Sequence, residues 1–147
     1  HAQKKGDAAW KRTVTMHEDV VRTVLVRFGG REVETAGDSF LIVFDGAERA
    51  IRCGLELVDA LAAIRLSIRV GIHSGEVTLS GERVGGVAVH VAARILAEAG
   101  SGEVLLSGTT RDLAEGGAGL AFESRGRYRL KGLEREHDLF VAGSSAD

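Results

Sequence analysis

The segment REVETAGDSFLIVF, residues 31–44, is the strongest constraint on how this chain folds. Two β-rich runs, 31–36 and 39–44, meet at Gly37-Asp38, residue types that turn a hairpin. On both sides the apolar period changes from two to three and four. Upstream, Trp10, Val14, His17, Val21, Val24, Leu25 and Phe28 recur at helical spacing. Asp7 stands where such a helix is capped, and Gly29-Gly30 where it stops. Downstream, Asp45 is placed to cap a helix over 47–62 whose buried face carries Ala50, Ile51, Leu55, Val58 and Leu61. The opening helix needs a sheet to pack on, yet no strand stands in front of it in the sequence given.

The rest of the chain continues the alternation. LSIRVGI, 66–72, reads as a strand that runs into His73-Ser74-Gly75, with a short strand near 76–79. Gly85-Gly86 opens a small-residue helix over 87–98. EVLLS, 103–107, is a strand. Thr109 or Thr110 starts a short helix that ends at Gly116-Gly117, and short strands follow near 120–124, 127–130 and 138–142. The pattern predicts the α+β class, one mixed sheet with helices on one face. The 147 residues suit one domain, 1–147, and the 44% hydrophobic content suffices for a core. A net charge of −2 argues against a general nucleic-acid binder. A lone cysteine, Cys53, allows no internal disulfide, which points to a reducing, cytoplasmic setting. No apolar run reaches the roughly 18 residues of a membrane span.

Several residues invite a chemical reading. Asp38 sits at the hairpin tip beside Gly37: either a plain turn residue or a hard oxygen donor for Mg2+ or Mn2+. His90 and Arg94 are four apart, hence on one face of the 87–98 helix. Arg94 is either a phosphate clamp or an arginine snorkelling to solvent. Lys131, in YRLKGL, either places an ammonium beside a phosphate or is a solvated turn lysine. His73 reads as structural, at a strand end. No His/Cys cluster suggests zinc and no Walker loop is present.

RFGGREVETAGDSFLIVF, IRVGIHSGEV, VGGVAVHVAARI, GEVLLSGTTRDL and LKGLEREHDLFV together resemble, in order and spacing, the catalytic domain of class III adenylyl and guanylyl (nucleotidyl) cyclases. HAQKKGDAAWKR resembles the start of the first helix in bacterial members. The resemblance implies a ferredoxin-like palm that pairs head to tail as a homodimer, each active site lying across the interface. It implies a lyase in which the ribose 3′-hydroxyl attacks the α-phosphate, with two Asp holding two Mg2+ or Mn2+ ions. Carried over, Asp38 matches the second metal Asp, Arg94 the transition-state Arg, and Lys131 the lysine on the terminal phosphates. His90 stands at the ribose-positioning Asn, while Glu34 and Arg83 stand at the base-reading positions. Further regulatory domains or partners are implied as well, since such domains are usually modules.

The chain departs from the family pattern in three ways. The family's first metal Asp lies in a strand just before the opening helix, in a segment reading like FTDI, and the sequence given holds none. On that ground it is expected to carry half a metal site and to be inactive as it stands. His90 replaces Asn, keeping one hydrogen-bond donor on a larger, titratable ring. Glu34 and Arg83 invert the charges of the Lys and Asp that read adenine, although Glu82 could occupy the second place. An ionised Glu only accepts and Arg only donates. Guanine offers N1–H and an amino group to Glu34 and O6 to Arg83; uracil offers N3–H and O4. The expected order is therefore GTP before ATP, with UTP next. The alternative is a degenerate cyclase-homology domain, in which Glu34 and Arg83 pair with each other, serving as a nucleotide sensor or dimerisation module.

Overall fold

The structure, a computed structural model, describes residues 16–36, 39–80 and 83–144. Helix α1 covers 16–27; Asp7, Trp10 and Val14 lie outside the described residues. Its inward side chains Val21, Val24 and Leu25 meet Cys53, Leu57 and Leu61 of α2 (Ala47–Ala62). The hairpin of β1 (Arg31–Ala36) and β2 (Ser39–Val43) lays Phe40 and Ile42 on the same cluster. Strand β3 (Val70–Ile72) follows, then a small hairpin of β4 (Thr78–Ser80) and β5 (Arg83–Gly85). Helix α3 (Val87–Glu98), β6 (Val104–Ser107), α4 (Gly108–Ala114), β7 (Leu120–Arg129) and β8 (Glu136–Ser144) complete the order.

The expected α+β fold with a mixed sheet forms. Strands β3, β6, β8 and β7 make a four-stranded sheet in that order; β3–β6 is parallel and the other pairs antiparallel. Helix placement departs from a single covered face. Side chains alternate along β6. Leu105 therefore joins Val91 and Ile95 of α3, while Val104 and Leu106 join Ile51 of α2 and Ala114 of α4. Helix α3 thus lies alone on one face, opposite α2 and α4. Leu105 and Leu139 are 0% exposed, and burying each is worth ~2 kcal/mol.

Local details differ from the sequence reading. The α2 cap is Gly46, which makes no side-chain cap bond, rather than Asp45. Ser107, not Thr109 or Thr110, caps α4: its Oγ accepts from the Thr110 N–H. Strand β7 is one strand, not two, because a bulge at Ser124/Gly126 absorbs the break.

Helix α1 is also tied to β1 by charge. Arg22 Nε and Nη2 donate to the two Glu32 carboxylate oxygens at 2.9 and 3.0 Å, and the Thr35 hydroxyl donates to Glu32 as well. Arg22, then Thr35, draw the Glu32 carboxyl down to about 2 from an ordinary 4.5. In that window the unfolded chain binds the extra proton, so this contribution is whole above about 4.5 and fades as pH falls toward 2. Arg22→Leu is expected to flatten stability against pH in this range, read from urea midpoints; an unchanged slope would show that Glu32 is held by something else.

Candidate functional site

Helix α3 organises the site. It starts at Gly86, whose φ of 118° suits glycine and turns the chain out of β5. Val91 and Ile95 face the sheet at 3% and 0% exposure. The opposite side carries His90, exposed, and Arg94, half-buried, one turn apart. Arg94 Nε is buried and has no hydrogen-bond partner among the described residues.

The turn after β7 approaches this side of α3. The Leu133 N–H donates to the Leu130 carbonyl at 3.0 Å, closing the turn around Lys131 and Gly132. A Cβ built on Gly132 would lie 3.6 Å from His90 Nε2, so this turn sits directly beside His90. Lys131 is exposed. At the other end, β5 touches both β1 and α3. Glu34 is exposed on β1, opposite Leu41 of β2. One strip of elements therefore runs from Glu34 through β5 and α3 to the Lys131 turn. Asp38, Glu82 and the Arg83 side chain lie outside the described residues.

His73 proves structural, as expected. Its Nδ1 is 2.7 Å from Ser107 Oγ, and Ser107 Oγ is 3.1 Å from Thr110 Oγ1, itself 3.0 Å from Ser74 Oγ. Burial, then His137, pushes the His73 pKa below its ordinary value, favouring the neutral ring. Ser107 is 1% exposed, and this chain of hydroxyls ties the end of β3 to β6 and α4. Cys53 is likewise a core residue, its thiol pushed up to about 11 by burial.

Among the described residues no group of three or more His, Cys, Asp or Glu side chains could hold a metal ion. The described donor set alone does not make a metal centre. No described helix is long and apolar enough to cross a membrane. A groove of about 810 Å³ separates the hairpin from the main sheet. It is lined by residues 39–43 of β2, by 66–72 around β3, and by residues of α2 and α3. Among the described residues β2 pairs only with β1, and β3 only with β6, so each has an edge without a strand partner.

Arg22, Glu32 and Thr35 were invisible as a group in the sequence, because ten residues and a turn separate Arg22 from Glu32. No periodicity marks such a contact.

Residues 3–143 match the family described as the adenylate and guanylate cyclase catalytic domain. An uncharacterised protein of Mycobacterium tuberculosis (strain ATCC 25618 / H37Rv) is 41% identical over 102 residues, 67% of this chain and 35% of its own length. The chain thus spans little more than a third of that relative. The adenylate/guanylate cyclase/hydrolase structure from Silicibacter pomeroyi is similar at a TM-score of 0.84 and 25% identity, covering 92% of this chain and 84% of that one. A guanylate cyclase domain from Catenaria anguillulae, solved in complex with GTP, gives 0.79 at 22% identity, covering 90% and 82%; at that identity the likeness is of fold.

Proposed function

The chain belongs to the adenylate and guanylate cyclase catalytic domain family, and on that premise we propose that it acts in converting a nucleoside triphosphate into a 3′,5′-cyclic nucleotide and pyrophosphate. GTP is the favoured substrate, ahead of ATP, with UTP next. The observation that carries this reading is the order of the strip: Glu34, β5, His90 with Arg94, then Lys131. That is the order of base, ribose, α-phosphate and terminal phosphates along a nucleotide.

In this reading Glu34 accepts from guanine N1–H and its amino group, and Arg83 donates to O6. His90 orients the ribose. The ribose 3′-hydroxyl gives its proton to solvent water, and its oxygen bonds to the α-phosphorus as the bond to the pyrophosphate oxygen breaks. Arg94 donates to the α-phosphate oxygens as charge builds there, and Lys131 holds the leaving pyrophosphate. A base that leaves Glu34 or Arg83 buried without a partner costs about 1–3 kcal/mol, roughly tenfold or more in preference.

Mg2+ or Mn2+ enters the proposal on Asp38 alone, as a hard oxygen donor. A second carboxylate would come from a strand seated in the groove between β2 and β3. The groove supports this: strand edges bound it on two sides, with α2 and α3 above and below. The functional unit is read as a cytoplasmic head-to-tail homodimer within a larger, regulated protein. That reading follows the family, whose members pair in this way.

The test supplies that strand, by extending the polypeptide upstream of His1, and presents GTP, ATP and UTP with Mn2+. Cyclic GMP is expected as the main product. A clear ATP preference would sink the base reading. Nucleotide binding with no turnover on any substrate would favour the second reading, a nucleotide-sensing or dimerisation module, which His90 in the ribose position supports.

A further inference from the structure

Glu32 and Glu34 stand two apart in β1, and in an unbroken strand they would share a face. They do not. Glu32 lies opposite Ile42 and Glu34 opposite Leu41, so Val33 has no cross-strand partner and forms a bulge. Ile42 and Phe40 point at α1 and α2. Glu32 and Thr35, opposite Ile42 and Phe40, therefore point there too, whereas Glu34 points with Leu41 to the other face of the hairpin, away from α1 and α2.

Something must hold this register. The hairpin is its own two-stranded sheet, so among the described residues no third strand pins it. A slip by one residue would close the bulge and turn Glu34 toward the core face. The contacts that oppose the slip converge on Glu32. Arg22 reaches it with two hydrogen bonds from α1, and Thr35, on the far side of the bulge, bonds to the same carboxylate. The Arg22 guanidinium also lies over the Phe40 ring, 5.6 Å from its centroid, so the same arginine engages β2.

We propose that Arg22, Glu32 and Thr35 form a positioning clamp that holds the β1 bulge and thereby holds Glu34 on the face turned away from α1 and α2, so that base selection depends on a helix on the other side of the hairpin. This inference rests on the reading of Glu34 as a base-contacting residue. Its physical logic is that bulges beside sites re-aim a side chain, and this one separates two acids that would otherwise share a face.

The test has two readouts on the full chain. The first needs no nucleotide: cross-strand NOEs between Glu34 and Leu41 report the register. Arg22→Leu is expected to weaken them and to raise contacts between Glu34 and Phe40. The second is equilibrium binding of fluorescent GTP and ATP analogues. Arg22→Leu is expected to lower the GTP-to-ATP ratio about as far as Glu34→Gln does, with no further loss when the two are combined. Arg22→Lys, which keeps the charge, recovers part of the ratio. If Arg22→Leu fails to fold, Thr35→Val removes one bond of the clamp without changing size and is read in the same way. Retained Glu34–Leu41 NOEs, or a ratio moved by Glu34→Gln but not by the clamp variants, would overturn the clamp and leave the base reading standing. If Glu34→Gln moves nothing, or neither analogue binds, the base reading fails and the inference fails with it.

Discussion

Gly71→Ala is expected to destabilise the fold by ~3 kcal/mol, a large part of the ~5–15 kcal/mol that holds a domain of this size together. Gly71 lies in β3, directly beneath α3. A Cβ there would stand 2.5 Å from the Leu96 nitrogen and 2.7 Å from its Cα. Those are helix backbone atoms, so no side-chain rotation relieves the clash. The helix must lift or tilt, drawing Val91 and Ile95 from Leu105 and Leu139. The control is Gly143→Ala in β8, where a Cβ meets nothing within 4 Å. Its effect should stay within about 0.5 kcal/mol, as for most substitutions that meet no obstacle. Urea denaturation of both variants decides the matter; equal midpoints would mean that α3 does not rest on Gly71. Because α3 also carries His90 and Arg94, the same lift would misplace the site.

The same contact shows where sequence reasoning stopped. The bounds of α2 and α3 were legible because their apolar spacing and flanking glycines are local signals. So were β1 and β2, and the structural role of His73. The face chosen by α3 was not legible. It depends on the alternation of Leu105 against Val104 and Leu106 across a strand distant in sequence, and on a glycine that admits the helix backbone. Strand β5 was missed because three residues ending in glycine carry no period; only pairing with β4 defines it. The caps were misplaced by one to three residues because Asp45 and Gly46, or Ser107 and the threonines after it, compete for the same backbone N–H groups. Within the candidate site, residue types were legible and their grouping was not. His90 and Arg94 fall together by helical spacing, but the Lys131 turn reaches them only through the tertiary fold. The bulge at Val33 has no sequence signal: a strict two-residue period assigns Glu32 and Glu34 to one face.

Arg94→Met should separate function from stability more sharply than any other change. Under the proposed chemistry, the guanidinium acts on charge that develops at the α-phosphate. Removing such a donor typically costs about 10²–10³ in turnover. The loss should fall on kcat with KM little changed, because the interaction strengthens only as the transition state forms. Stability should move the other way. Arg94 Nε is buried with no hydrogen-bond partner among the described residues. A buried polar group left unpaired costs about 1–3 kcal/mol, and Met fills similar space with no polar atom. The variant is therefore expected to be as stable as the parent, or more stable by ~1 kcal/mol, in urea denaturation. Activity is assayed in the polypeptide that fills the groove between β2 and β3, and stability in the chain itself. Loss of turnover together with a large loss of stability would mark Arg94 as a structural residue paired within its own chain. Loss of turnover with stability kept would mean that the fold tolerates an unpaired arginine on α3 because its partner is the substrate.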